Sequence, residues 1–272
     1  MEKKVPITID GKSVEAKHGQ TILDVARELG IFIPSLCYYP GTTKVGACRV
    51  CLVEVEGARS LVASCAMPVT PGMVIRTDTE KVRAAQRMVV EFIWASGDHN
   101  CLTCERNGNC ELQDLVYRLG IEKPRFDIDN PGYSQETSNT MIARDLNKCI
   151  FCGRCIRACN EIQVNEILDF SNRGSRAKVG PAFDTDYIES DCYFCGECVD
   201  ACPVGAITFK QARFKGRPWE TTKVKTTCTY CGVGCQMDLH VFDGKIVKVT
   251  GNHDYGQPNL GSLCAKGRFG LD

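Results

Sequence analysis

KCIFCGRCIRAC at residues 148–159 returns as DCYFCGECVDAC at 191–202, and this repetition decides how the chain is read. The first run holds Cys149, Cys152, Cys155 and Cys159. The second holds Cys192, Cys195, Cys198 and Cys202, followed by Pro203. The shared spacing, C-x2-C-x2-C-x3-C, wraps three thiolates round one cubic [4Fe–4S] cluster and sends the fourth to another. Two such runs describe an internal duplication. Disulfides or zinc are the alternative for cysteines in general, and two complete four-cysteine matches argue against both. Asn160 stands where a proline is expected after the first run, so the turn there is expected to differ.

Composition narrows the class. Nineteen cysteines in 272 residues, about 7%, fall in four groups rather than scattered pairs, and the odd total argues against a complete disulfide framework. Thiols kept reduced in the cytosol fit that usage. The opening MEKKVPITIDG has no apolar run long enough for a signal-peptide core, and no stretch approaches a membrane span. A cytoplasmic chain is therefore expected. The 33 basic and 33 acidic residues balance, which leaves no electrostatic footprint for nucleic acid. Apolar residues at 43% suffice for small cores, with much of the folding free energy left to metal ligation.

The duplicated runs resemble a bacterial two-cluster ferredoxin domain. That resemblance implies that Cys149, Cys152, Cys155 and Cys202 hold one cluster and that Cys192, Cys195, Cys198 and Cys159 hold the other. Upstream, KVPITIDG (4–11) alternates apolar and polar and continues past Gly11 through Lys12–His18, which predicts a β-hairpin. A helix is predicted from Thr21 to Leu29, with Ile22, Val25, Ala26 and Leu29 on one face and Gly30 as its stop. RVCLVEVEG reads as a strand running through Cys51, and MVIRTD (73–78) as another. Strand, strand, helix, cysteine-bearing loop and further strands suggest a β-grasp sheet. The pattern Cys37-x10-Cys48-x2-Cys51-x13-Cys65 resembles the [2Fe–2S] domain that opens the large iron–sulfur subunit of respiratory complex I. The same domain occurs in [FeFe] hydrogenases and in NAD(P)-linked formate dehydrogenases. Gly41 and Gly46 suit a loop whose N–H groups approach sulfur closely, and zinc is the alternative for this group taken alone.

Residues 79–96 predict an amphipathic helix with Val82, Ala85, Val89, Phe92 and Ile93 as its core stripe. His99-x-Cys101-x2-Cys104-x5-Cys110 follows and resembles the one-histidine, three-cysteine [4Fe–4S] site of the same families. In the complex I and hydrogenase pattern the histidine lies four residues before the first cysteine, where this chain has Gly97. His99 is taken as the fourth ligand ahead of Asp98 or solvent, by the preference of iron sites for imidazole. The four groups use four, three, eight and four cysteines and leave none over. With His99 that makes twenty ligands, enough for five clusters.

Residues 120–140 read as a polar surface connector, 165–191 as short paired strands, and 214–225 as a second connector whose Arg217 and Trp219 are candidates to dock on a neighbouring domain. The last group is Cys228-x2-Cys231-x3-Cys235-x28-Cys264, with a hairpin predicted around Asp243-Gly244. It resembles the N-terminal [4Fe–4S] lobe of molybdenum and tungsten bis-pterin oxidoreductases, formate dehydrogenases above all. There the lysine two residues after the fourth cysteine lies between cluster and pterin; Lys266 matches it and is expected to act as an electron relay. The sequence ends at Asp272, before any bis-pterin or hydrogenase active site. A dedicated electron-transfer subunit and the amino-terminal part of a larger polypeptide both fit, and no catalytic residue is expected in this chain.

These readings amount to an α+β chain of four domains. They are a β-grasp [2Fe–2S] domain (1–78), a helical histidine/cysteine [4Fe–4S] domain (79–140), a two-cluster ferredoxin-like domain (141–219) and a molybdoenzyme-type [4Fe–4S] lobe (220–272). The expected cofactors are one [2Fe–2S] and four [4Fe–4S] clusters, with FMN and Mo/W bis-pterin only on partner domains or subunits. The expected function is electron transfer in an anaerobic NAD(P)-dependent formate dehydrogenase. A flavin-bearing NADH-oxidising subunit would dock near the [2Fe–2S] end and a bis-pterin unit near Cys228–Cys264, with free ferredoxin as a further partner. The alternatives are an iron–sulfur subunit of a complex-I-like or bifurcating hydrogenase complex and, in another class, a cluster-bearing assembly scaffold.

Overall fold

The structure, a computed structural model, describes residues 4–270. The first three residues of segment 1–78 and the last two of 220–272 lie outside the described residues. The chain is mixed α/β and divides into two units, each with its own sheet system.

The first unit comprises the chain through Tyr38, Lys44–Ala95 and Leu115–Ile128. It opens on the predicted hairpin, β1 (Lys4–Ile9) against β2 (Lys12–Lys17), with Val5 opposite Ala16 and Ile7 opposite Val14. The two turn residues, Asp10 and Gly11, both have positive φ (47° and 78°), as a tight turn matched to strand twist requires. Helix α1 (Ile22–Glu28) starts at a capping box in which Thr21 and Asp24 satisfy each other's backbone N–H. Three short strands follow: β3 (Leu52–Val55), β4 (Val62–Ala63) and β5 (Val74–Arg76). Cys51 immediately precedes β3 rather than lying inside it. The sheet order is β2-β1-β5-β3-β4, with β5 parallel to β1, and Ile9, Ile22, Leu23, Val53 and Ile75 close the core.

Helix α2 (Glu80–Ala95) forms where expected, but its buried face is rotated from the predicted stripe. Val82, Gln86, Val90, Glu91 and Ala95 are buried, and Phe92 is half exposed. The reason is polar: Gln86 donates to the carbonyl of Leu52 (3.0 Å), and Glu91 takes Arg87 (3.3 Å) and Arg125 (2.6 Å). Phe92 instead stacks on Phe126 at 4.0 Å, so part of the predicted connector is held to this unit.

The two units share the residues of α3 (Glu111–Arg118). In the second unit β6 (Ile142–Arg144) pairs antiparallel with β9 (Ile207–Phe209) across the duplicated segment. Between them lie α4 (Arg154–Arg157), the predicted strand pair β7 (Asp169–Ser171) and β8 (Lys178–Gly180), and α5 (Glu197–Ala201). After Cys159 the backbone winds on as a π turn to Ile162, whereas α5 stops at Ala201 and Cys202 is already extended before Pro203. The departure at Asn160 thus has a structural counterpart, because Pro203 has no N–H with which to continue a helix.

The final sheet is β10 (Thr222–Thr227), β11 (Gln236–Phe242) and β12 (Lys245–Thr250), in that order, and α6 (Ala265–Phe269) ends the described chain. The β11–β12 hairpin turns at Asp243-Gly244 as predicted. The 214–225 stretch is not a connector throughout: from Thr222 it is an edge strand. Arg217 in it donates to the carbonyls of Cys104 (2.6 Å) and Leu102 (3.5 Å). Trp219 lies over Gly108, where a Cβ would sit 2.6 Å from the ring. Among the described residues no helix is long and apolar enough to cross a membrane.

Candidate metal centres

The first thiol set is part of a hydrophobic core. Cys37, Cys51 and Cys65 are at most 2% exposed, and Cys48 is half-buried. Their thiols form one interacting set, Cys37 with Cys48 and Cys65, and Cys65 also with Cys51. These contacts hold Cys37 and Cys51 well below the usual thiol range, while the same contacts and burial push Cys48 and Cys65 up. Backbone N–H groups add to the set, Leu36 donating to Cys48 Sγ at 3.4 Å. Buried sulfurs met by N–H donors are the environment a thiolate-bound cluster needs.

The second set lies along the chain between α2 and α3. Burial first, then the charge of Cys104, raises Cys101, and burial pushes Cys110 up to about 11. Cys104 packs on the backbone of Gly205, where a Cβ would stand 2.6 Å from its sulfur. His99 is half-buried, and its carbonyl accepts from Cys101 Sγ at 3.5 Å. Gly97 explains the displaced histidine: a Cβ there would run into the carbonyl oxygen of Asn147 and stand 3.2 Å from His99 Nε2. No side chain fits at the position where the family pattern has its histidine, and the imidazole two residues on faces that same spot.

In the duplicated segment each thiol's electrostatic neighbours sort the eight cysteines into two sets. Burial pushes Cys149 and Cys152 up to about 12; Cys149 feels Cys152 and Cys202, and Cys152 feels Cys202. Cys155 is raised by burial and then by Cys152, Cys149 and Cys202, with Cys198 of the other set the least of its thiol neighbours. Cys192, pushed up to about 11 by burial, feels Cys195 and Cys159, and Cys198 feels Cys195, Cys192 and Cys159. Cys202 thus stands with the first three thiols and Cys159 with the second three, the exchange implied by the ferredoxin resemblance.

Backbone geometry is matched between the repeats. Phe151 and Phe194 have φ of 52° and 49°, and Gly153 and Gly196 have 68° and 77°. These left-handed residues turn N–H groups inward: Phe151 donates to Cys149, Phe194 to Cys192, Arg154 to Cys152 and Glu197 to Cys195. Tyr187, 1% exposed, lies by both sets, with Cys198, Cys155 and Cys192 as its electrostatic neighbours.

The last set surrounds Cys235, which is raised by burial and by the charges of Cys228, Cys231 and Cys264. Cys228 is buried, Cys235 half-buried, and Cys231 and Cys264 are exposed. Lys266 is exposed on α6, two residues past Cys264. Arg268 on the same helix points inward. It donates to Glu197 (2.9 Å), to Asp200 and to the carbonyl of Cys195 (2.7 Å). Glu197 also accepts from Tyr39 (3.1 Å), whose hydroxyl meets His253 Nε2 at 3.0 Å. This buried network is not singled out by the sequence. Its one readable signal is the pair of acids among the cysteines of the second run.

The donor sets fit clusters. Among the described residues no three His, Cys, Asp or Glu side chains converge as they would on a single metal ion. The thiols of each set nevertheless remain electrostatic neighbours, as ligands ranged round a larger group must.

Four family models match in succession: a 2Fe-2S iron-sulfur cluster binding domain over residues 2–80, the NADH-ubiquinone oxidoreductase-G iron-sulfur binding region over 86–125, the NADH-quinone oxidoreductase subunit 3 ferredoxin-like domain over 139–208, and the molybdopterin oxidoreductase Fe4S4 domain over 221–272. The G 2 subunit of the NADH-quinone oxidoreductase of Rhizobium meliloti is 36% identical over 98% of this chain and 31% of its own length. The HndD subunit of the NADP-reducing hydrogenase of Solidesulfovibrio fructosivorans is 43% identical over 74% of this chain and 35% of its own. The chain spans about a third of the length of these curated relatives. A crystal structure of NAD+-reducing [NiFe]-hydrogenase in the H2-reduced state matches with a TM-score of 0.73 and 33% identity, covering 78% of this chain and 90% of that one.

Proposed function

The chain belongs to the family of iron–sulfur subunits typified by the G-type subunits of NADH-quinone oxidoreductase and by NAD(P)-linked hydrogenases, and we propose that it conducts single electrons between an NAD(P)H-oxidising flavin subunit and a second redox partner. The observation behind this reading is that Cys202 is an electrostatic neighbour of the first three thiols of the repeats and Cys159 of the second three. When bound, one [2Fe–2S] and four [4Fe–4S] clusters would supply one-electron carriage with no bond made or broken. Cys37, Cys48, Cys51 and Cys65 would hold the first, and His99, Cys101, Cys104 and Cys110 the second. Cys149, Cys152, Cys155 and Cys202 would hold the third, Cys192, Cys195, Cys198 and Cys159 the fourth, and Cys228, Cys231, Cys235 and Cys264 the fifth. The protein's part is to exclude water, aim N–H donors at sulfur and place fixed charge beside the thiolates. The order of sheet and helix in the first unit supports a β-grasp domain there.

The partner at the last set is read as a Mo or W bis-pterin unit of formate dehydrogenase type. The Fe4S4 match over 221–272 and the open position of Lys266 beside Cys264 support this. A complex-I-like or bifurcating-hydrogenase assembly is the second reading, favoured by the NADH-quinone oxidoreductase and hydrogenase relatives. One experiment tests both levels. The anaerobically purified chain should hold about 18 iron atoms and little zinc, and NADH with the flavin subunit should reduce it. Stoichiometric zinc, iron near ~8 per chain, or a failure of reduction that leaves only a scaffold would defeat the carrier reading. Lys266→Met should retain the iron and slow electron entry from formate and the bis-pterin partner, not from NADH. Unchanged entry from both sides would remove the formate dehydrogenase assignment alone.

A further inference from the structure

The duplication keeps its cysteines and reverses three charges: one ahead of the first cysteine, at the half-buried Lys148 and the exposed Asp191, and two inside the runs. Arg154 and Arg157 in α4 occupy the places that Glu197 and Asp200 occupy in α5, two residues and five residues after the second cysteine of each run. The backbone round these positions is conserved between the repeats, so the reversal is not a by-product of a changed loop. All four side chains point inward: Arg154, Arg157 and Glu197 are 5%, 7% and 0% exposed, and the Asp200 side chain 14%.

The surroundings preserve the contrast. Arg154 makes a two-pronged pair with Glu111 (2.5 and 2.7 Å), a carboxylate whose side chain is 47% exposed and so well screened. Arg157 donates to the carbonyl of Cys152 and to Thr42 Oγ1, both at 3.4 Å. Around the second set one guanidinium, Arg268, serves both Glu197 and Asp200. Glu197 accepts from Arg268 and Tyr39; burial raises its pKa, and the Arg268 guanidinium opposes that rise. Glu136 near Cys192 is already matched by Arg144 at 2.7 Å. Arg154 and Arg157 both favour the charged form of Cys152, whereas at Cys195 Arg268 favours it and Glu197 opposes it.

Adding an electron adds negative charge, so fixed cations favour the reduced form and fixed anions oppose it. We propose that this reversal divides the domain into a higher-potential centre at Cys149, Cys152, Cys155 and Cys202 and a lower-potential centre at Cys192, Cys195, Cys198 and Cys159. Arg154, Arg157, Glu197 and Asp200 are the positioning residues that set the difference. One electron passes from the second centre, which is oxidised, to the first, which is reduced; no bond or proton moves. The inference rests on the cluster reading of the same cysteines.

The test is a dithionite titration with redox mediators of the full iron-loaded chain, followed by EPR, with iron counted on the same samples. Wild type should show two [4Fe–4S] signals from this domain reducing in sequence. Arg154→Gln with Arg157→Gln should make the earlier one harder to reduce, its reduced-to-oxidised ratio at fixed potential falling on the order of tenfold per charge. Glu197→Gln with Asp200→Asn should make the later one easier by a similar factor. Arg157→Lys, which keeps the charge and changes the packing, should move neither. Signals that reduce together in wild type, arginine variants that shift the later signal, or a lysine variant that shifts as far as glutamine would overturn the ordering. A wild-type iron count well short of about 18 defeats the cluster reading instead, so the two failures are distinct.

Discussion

Cys51 and Cys65 sit in a core with Ile9, Val53 and Ile75, whereas Cys231 and Cys264 stand open on a lobe whose core cluster, among the described residues, is the smaller set Cys228, Met237, Val249 and Leu263 with Cys235 and Leu239 packed against it. Each set has four cysteines, but the work of holding them is divided differently. At the first set the sheet packs the sulfurs as core residues, so apolar burial and ligand placement are one event. At the last, too little apolar surface is buried to fix four thiols, and ligation must contribute more of the folding free energy.

The largest effect that sharpens this contrast is expected from Ile75→Ala. Ile75 is fully buried, and such truncations cost about 2–5 kcal/mol. Denaturation followed by the visible circular dichroism of the [2Fe–2S] centre should shift to lower denaturant, with the [4Fe–4S] signal of the last set unmoved. A common shift would break the distinction between the two. Next comes thiol reactivity in the iron-free chain. Iodoacetamide should label Cys231 and Cys264 at once, and Cys51 and Cys65 at least ~100-fold more slowly, because exposing them requires opening the core. Peptide mass spectrometry reads the rates; equal labelling would mean that the first core does not form without metal.

The smallest effect is with pH. Burial, then Lys248 and Lys223, hold His240 of β11 down at about 3. The unfolded chain takes up that proton near pH 6.5 and the folded chain does not. Stability of the last lobe therefore falls as pH drops from about 6.5 toward 3, by roughly 2 kcal/mol at pH 5. In the first unit burial raises Asp24, but Lys44 and the Thr21 donors outweigh it and lower its pKa. That contribution is present above the unfolded aspartate value and is lost only on further acidification, below about pH 4. Two acid transitions, the earlier abolished by His240→Gln, are expected by near-UV circular dichroism against pH.

Much of this can be read from the chain because its signals are local. Asp10-Gly11, the Thr21 cap and the cysteine spacings each act over a few residues. The buried face of α2 cannot be read, since Gln86 and Glu91 are buried by Leu52 and Arg125, far off in sequence. TKVK at 222–225 reads as part of a connector because the edge strand it begins, exposed on nearly every residue, shows no alternation. The reversed charges of the repeats lie in plain view, but only burial gives them weight. Arg268 gives no signal, being about 70 residues from the carboxylates it joins.

Arg268 crosses Gly196 and ends on three footings: the Cys195 carbonyl, Glu197 and Asp200. It is a strut. A Cβ on Gly196 would stand 2.8 Å from Phe269 and would also strike Arg268 itself, so the crossing needs that glycine. Three bonds from one side chain tie the helix after Cys264 to the run that carries Cys195. For an electron carrier, as proposed above, that tie would hold the interval between the last thiol set and the second repeat.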